Sequence, residues 1–391
     1  MEYPKLNPIL LQQPISKSHW RLDATWLKAG GLSDLPGRYI TPDLSHVDIT
    51  HLWEYIQSLE GFTQPECLTI CLDLDRPLIT ALFLTMIPRM TCLTGLDIEW
   101  ATDIDTEETP RGRMGDWLEA FTASQLEQLL YVSLDVTNCQ VTADELSHWL
   151  KQMPNLHSFK LFEFDEEWGN GTLEIPPLAE LRQLSLRCNL PTHQLEVSVL
   201  PALTRLSLQC GHSDKDMRWL PNLKQMTALE SLNWSRLFPK DLVEVASCLP
   251  TQLADFTGYI VFHPVKLDDT VWTNLMNLSQ LSAFDIQGVR VPEHFIKWMK
   301  TSPLRSIPRI YHHQRRLAPF FFNVLPAMSH LESLKCECLF GEPNQDVTWM
   351  IDLVRQCTQL TKLEVGIPHP QIPILAAALL GLTNLVELRL Y

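Results

Sequence analysis

The 391-residue sequence has no apolar run approaching the ~18 residues that a membrane-spanning helix needs. Its N-terminus, MEYPKLNPILLQQPISKSHW, shows no basic segment followed by a long apolar stretch, so no secretory leader is visible. Positive charge is scarce: 31 Lys and Arg stand against 46 Asp and Glu, a net charge of −15. A surface of that sign repels phosphate backbones, which speaks against general nucleic-acid binding. Ten cysteines are present, yet no C-x-x-C occurs, and the closest pairs are Cys336 with Cys338 and Cys67 with Cys71. Neither spacing is that of a structural zinc site. Buried, unpaired thiols in a reducing compartment are the expectation, and hence a cytoplasmic location. Delivery into a host cell by a signal not readable here is the alternative. Also missing are G-x-x-x-x-G-K-[ST], G-x-G-x-x-G after a strand, H-E-x-x-H and G-x-S-x-G. No enzyme, cofactor or metal is therefore expected.

What the chain has is a phrase, L-x-x-L-x-L. It occurs twice in the stretch Leu181 to Leu208, at Leu181/Leu184/Leu186 and at Leu203/Leu206/Leu208. Alternate residues of a strand face the same way, so Leu184 and Leu186 point together into one core. First positions of the phrase align at Leu44, Cys67, Leu93, Leu129, Leu156, Leu181, Leu203, Leu229, Leu253, Leu281, Leu304, Leu331, Leu360 and Leu385. All steps but the 36 residues from Leu93 to Leu129 lie within roughly 20–29 residues.

This pattern resembles a leucine-rich repeat, and Asn189 falls where that family's L-x-x-L-x-L-x-x-N places its asparagine. The resemblance implies that such a side chain bonds the backbone of neighbouring turns. Most repeats here lack it, and Cys67, Trp234, Gly258 and Cys336 replace core leucines. The implied fold is an α/β solenoid, a curved horseshoe with a parallel sheet on its concave face and helices on its convex face. Residues 1–43, punctuated by proline, are expected to cap it; residues 44–391 would form about 14 repeats. Leu96, Ile98, Val132, Leu134, Leu161, Leu184, Leu186, Leu206, Leu208, Leu232, Ile286, Leu334 and Leu363 are predicted to be buried.

Helical spacing follows several phrases, as in Thr50-HLWEYIQSL and Thr142-ADELSHWLKQM, where Glu145 stands at the capping-box distance from Thr142. Asp241, Asp269, Pro292, Asp346 and Pro373 open similar stretches. The long step holds an acidic insertion near 99–116, with Asp103 and Asp105 in a D-x-D pair that is read as solvated loop. Tyr311-HHQRR has adjacent histidines without a third ligand nearby.

Function is then a matter of surface. With positions one, four and six in the core, positions three, five, seven and eight lie on or near the concave sheet. Acids cluster early there, and the middle is basic with aromatic neighbours. Lys160, Phe162, Arg187, Arg205, Arg236 and Tyr259 form the predicted partner-binding patch. The implied function is a non-enzymatic protein–protein interaction scaffold whose partner has an acidic surface, with no nucleic acid and no membrane. A substrate-recognition subunit, or a secreted bacterial-type effector acting through a catalytic partner such as a ubiquitin ligase, is the alternative. The last strand, LVELRLY, offers an edge for self-association.

Overall fold

The computed structural model describes residues 21–22, 39–42, 67–73, 87–89, 91–101, 119–136, 141–164, 171–211, 217–260, 267–287, 291–307, 310–311, 318–337, 347–366 and 369–390. The chain forms two compact units, Met1–Leu203 with Gln209–Trp219, and Thr204–Leu208 with Leu220–Tyr391. Each is built by one rule: a strand, a turn, a returning segment, and the next strand laid parallel beside the last.

In the first unit the order is β1 (Arg21–Leu22), β2 (Tyr39–Pro42), β3 (Cys67–Asp73), β4 (Gly95–Ala101), β5 (Tyr131–Asp135), β6 (Ser158–Phe164) and β8 (Gln183–Pro191). The short strands β7 (Leu173–Ile175) and β9 (Leu195–Val197) pair separately. Strand β10, Arg205–Gly211, begins in the second unit, where β11 (Ser231–Leu237), β12 (Asp255–Ile260) and β13 (Ala283–Gln287) follow. A single bridging residue, Ser306, links Ala283 to Ser333. Beyond it lie β14 (Ile310–Tyr311), β15 (Ser333–Glu337), β16 (Lys362–Gly366) and β17 (Glu387–Leu390), all parallel.

The ladder confirms the phrase. From Leu93 onward a strand or bridge begins two residues after the first position of every phrase; β7, β9 and β14 are additional to these. Cα partners such as Gly95 and Tyr131, Tyr131 and Ser158, Asp255 and Ala283, or Lys362 and Glu387 stand one repeat apart. This is the architecture of a leucine-rich repeat. One anchor is corrected: Cys67 pairs with Gly95 and so occupies the third position, not the first, while Leu68 and Ile70 pair with Leu96 and Ile98. CLTICL carries apolar residues on both faces, so the phrase can slide along it by two residues. Likewise Tyr39 and Ile40 pair with Cys67 and Leu68, which carries the parallel ladder into the segment expected to be a cap. The repeat anchored at Leu44 and the helix over 50–59 lie outside the described residues.

Burial follows from the register. Of the thirteen residues predicted to be buried, every one whose side chain is described, all but Ile286, is at most 2% exposed. At roughly 1.5–3 kcal/mol for each such side chain, these rows dominate the stability of both units.

Returning segments take the form their sequence allows. Thr142 caps the helix Ala143–Leu150 through the full reciprocal box: its Oγ1 accepts from the Glu145 amide at 3.1 Å, and Glu145 Oε2 accepts from the Thr142 amide at 2.8 Å. Asp268, one residue before the expected start, caps Asp269–Met276 by accepting from the Thr270 amide at 2.8 Å. Helices Pro239–Cys248, Glu293–Met299, Thr348–Gln356 and Ile372–Leu379 fill the other expected places. In the repeats that begin at Leu156 and Leu181, the described returning residues form short strands and no α-helix. Leu173–Ile175 and Leu195–Val197 alternate buried and outward residues, and prolines follow each within a few residues. Such short segments form β7 and β9, where a helix of three turns has no room to start.

Candidate functional site

In the first unit the outward rows cross β5, β6 and β8. The first row is Tyr131, Ser158 and Gln183; the second is Ser133, Lys160 and Ser185; the third starts with Asp135 opposite Phe162. Lys160 and Arg187 are exposed and Phe162 is half-buried. The register between β6 and β8 slips beyond Leu161, since Phe164 pairs with Cys188. Phe162 and Glu163 therefore oppose the single residue Arg187. A bulge of this kind bends the strand and re-aims its side chains. It sets Arg187 against the Phe162 position, one row further along than Lys160.

Tyr131 belongs to this face, although it is not among the six predicted residues. It is 52% exposed, and its ring meets His157 edge-on at 6.2 Å between centroids. Its signal in the sequence is an aromatic at the third position of the phrase that begins at Leu129, a position expected on the concave sheet.

In the second unit Arg205 is exposed at the start of its strand. The Ser231 amide donates to Thr204 O, as the Asp255 amide does to Glu230 O, which sets Arg205 beside Ser231. The ladder between β11 and β12 slips between Trp234 and Leu237, so Ser235 and Arg236 oppose Tyr259. Arg236 lies five residues beyond Ser231, about 16 Å along the strand. Arg205 and Arg236 thus occupy opposite ends of neighbouring strands, while Arg236 and Tyr259 share a row.

Further along this unit the outward residues form a ladder of alternating charge. Lys335 Nζ lies 3.4 Å from Glu364 Oε2, and Arg389 Nη1 lies 3.5 Å from Glu364 Oε1. Arg389 Nη2 reaches Glu387 Oε1 at 2.7 Å, and Lys362 Nζ reaches Glu387 Oε2 at 3.3 Å. The hydrogen bond from Lys362 and the adjacent Arg389 guanidinium hold the Glu387 carboxyl below the usual range. All five stand at third or fifth phrase positions, which the phrase assigns to this face; their pairing required the register. Water screens solvent-facing pairs of this sort, so they set the electrostatic pattern more than the stability. Asp255, on the same face, is half-buried and accepts from Ser231 Oγ at 3.1 Å. Burial pushes its carboxyl pKa up, against the opposing pull of that bond and of Lys335.

Among the described residues no three His, Cys, Asp or Glu side chains gather as a metal ion would require. No described helix is long and apolar enough to cross a membrane. The D-x-D pair at Asp103 and Asp105 and the histidines after Tyr311 lie outside the described residues; strand β4 itself runs through Ala101.

No family model and no curated protein matches the chain. Among solved structures it is similar to the leucine-rich repeat-containing protein LegL7 from Legionella pneumophila, at 11% identity, with 86% of each chain covered and a TM-score of 0.33. It is also similar to CroV588, a circular leucine-rich repeat protein, at 12% identity and a TM-score of 0.28, over 83% of this chain and 43% of that one. The repeat fold itself rests on the chain's own ladder, whose register matches the leucine phrase from Leu93 onward.

Proposed function

We propose that the chain is a non-enzymatic protein-interaction scaffold whose partner, a protein with an acidic surface, docks on the outward face of the parallel strands. The observation that supports this is the face of β5, β6 and β8. Exposed Lys160 lies one row from half-buried Phe162 there, exposed Arg187 stands opposite Phe162, and exposed Tyr131 lies two rows back on β5. Tyrosine and arginine standing out from a rigid sheet are the usual make-up of binding hot spots, and the planar guanidinium suits carboxylates of a partner. Arg205, Arg236 and Tyr259 extend the same composition on the strands of the second unit. The free thiols at Cys188, Cys210, Cys336 and Cys357, all buried, support a reducing compartment such as the cytoplasm.

Capture of partners from the native source by the wild type and by the triple variant Arg187→Glu, Arg205→Glu, Arg236→Glu tests this. Capture should collapse while the melting temperature moves little, with Tyr131→Ala weakening it separately. Unchanged capture by the triple variant places the site elsewhere. Recovery of ubiquitin-ligase components as the captured partners would favour the adaptor role over a simple scaffold.

A further inference from the structure

Asp255 puts a charge on the outward face that no ion pair compensates. It stands half-buried at the third phrase position, the first residue of β12. Its Oδ2 accepts from Ser231 Oγ at 3.1 Å, and Thr257 gives it a second side-chain hydrogen bond. Lys335 attracts it, but that ammonium lies against Glu364 at 3.4 Å. None of the ion pairs among the described residues includes Asp255. Burial outweighs these contacts and pushes the carboxyl pKa up, so the ionised group costs the fold stability. Charges held at such a cost are characteristic of functional sites.

The register leaves room beside this carboxylate. Ala283 lies opposite Asp255, and the bridging Ser306 continues the row to Ser333. From Ser231 through Asp255, Ala283 and Ser306 to Ser333, no side chain but that of Asp255 is longer than serine. Strands about 4.8 Å apart make the small-residue floor from β13 to β15 roughly 10 Å wide. Asp255 stands at one side of it, and exposed Lys362, opposite Ser333, at the other. A carboxylate calls for a cation, and a floor of Ala and Ser suits a run of methylenes; lysine and arginine supply both. Ser231 already holds Oδ2, which hinders the two parallel bonds of a guanidinium because they need both oxygens. An ammonium donates from a point and needs only one.

We infer that Asp255 anchors a lysine of the docked partner, whose ε-ammonium meets this carboxylate while its methylenes lie on Ala283, Ser306 and Ser333. The inference rests on the proposal that a partner docks on the outward face. To a partner surface that is otherwise acidic it adds one basic residue, and it makes Asp255 the position that selects for it.

Saturation-transfer NMR on the full 391-residue chain tests this, with Nα-acetyl-lysinamide as the probe. Nα-acetyl-norleucinamide, which has the stem without the ammonium, is the control. The lysine probe should give a saturable signal, the arginine analogue a weaker one and norleucine none. Asp255→Asn keeps an acceptor for Ser231 and removes the charge. The fold should therefore survive, by circular dichroism, while the dissociation constant of the probe rises about tenfold or more. Asp352→Asn removes an acid from the helix Thr348–Gln356 and should leave that constant unchanged. This separates Asp255 from general attraction to a chain of net charge −15. Lack of a saturable signal, tighter binding of the arginine analogue, a constant unmoved by Asp255→Asn, or an equal loss in Asp352→Asn would each overturn the inference. The capture experiment with the arginine variants leaves Asp255 in place, so failure of the docking proposal shows there and failure of the lysine anchor shows here.

Discussion

The Asn155 side-chain amide donates to the carbonyl of Glu127, 2.8 Å away and one repeat earlier. The same device recurs. Gln252 Nε2 donates to Met226 O at 2.8 Å, Gln359 Nε2 to Leu325 O at 2.8 Å and Met328 O at 3.1 Å, and Asn384 Nδ2 to Thr358 O at 3.2 Å. Each amide stands immediately before the first leucine of a phrase, at Leu156, Leu253, Leu360 or Leu385, and reaches back to the turn that precedes the previous strand. A side-chain donor thus ties turn to turn along the solenoid, the role that the family resemblance assigned to an asparagine after the strand.

Because Gln359 satisfies two carbonyls in a partly buried turn, Gln359→Ala should destabilise the protein by roughly 1–3 kcal/mol. Asn384→Ala, whose single bond is solvent-exposed, should cost less than about 1 kcal/mol. Urea denaturation of the two variants checks this; equal costs would mean that the amides do not carry the turn-to-turn connection.

Core and face should respond in opposite ways. Leu184 is 1% exposed, and Leu184→Ala should cost roughly 2–5 kcal/mol through lost burial and the cavity left behind. Three residues on, Arg187→Ala should stay within about 0.5 kcal/mol. If Arg187→Ala proved comparably destabilising, the side chain would belong to the structure rather than to a docking face.

How far the residues alone disclosed this molecule can be judged element by element. Strand positions from Leu93 onward were legible because a buried face fixes period and register together: a slip of one residue would put every leucine into solvent. Cys67 was misplaced because apolar residues on both faces of CLTICL leave that constraint weak. The bulges at Phe162–Glu163 and Ser235–Arg236 were not legible. They depend on two strands advancing by different counts, which neither strand's sequence states. For the candidate patch this matters directly: the residue types were visible, but the bulges decide that Arg187 faces the Phe162 position and that Arg236 shares a row with Tyr259. The turn amides did leave a signal, a Pro or Thr followed by Asn or Gln before leucine, at Pro154-Asn155, Thr251-Gln252, Thr358-Gln359 and Thr383-Asn384.

The buried thiols should be chemically quiet. Cys188 and Cys210 Sγ lie 3.6 Å apart, and the hydrogen bond they share, reinforced by burial, raises the Cys210 thiol well above its ordinary value. Burial alone pushes Cys357 up to about 12. Alkylation of the native protein at pH 8, followed by peptide mass spectrometry, should modify exposed Cys92 well before these three. The shift also has a sign in stability. A thiol neutral in the fold but ionised when unfolded favours the fold below pH 9 and loses that contribution as pH rises toward 12. Cys357→Ala should therefore flatten the alkaline fall in stability by up to about 1.4 kcal/mol per pH unit in that window. An unchanged slope would show that the thiol does not ionise on unfolding.

Asp255 behaves in the opposite sense to most carboxylates in folded proteins. Burial raises its pKa despite the bond from Ser231 and the nearby Lys335. With the folded value above the unfolded one, the fold binds this proton more tightly than the unfolded chain does. The stability it brings is fully present only below pH 3.8 and is lost as pH rises through the folded value. At neutral pH the ionised carboxylate is then a net cost to the fold. Asp255→Asn keeps an acceptor for Ser231 Oγ and removes the charge, so the variant should melt at the same temperature or higher at pH 7. Its advantage should vanish near pH 3, where the wild-type carboxyl is protonated in both states. The measurement is a pair of melting curves at the two pH values. A variant less stable than the wild type at pH 7 would mean that the attraction of Lys335 outweighs burial, and that Asp255 belongs to the charge ladder as a stabilising member.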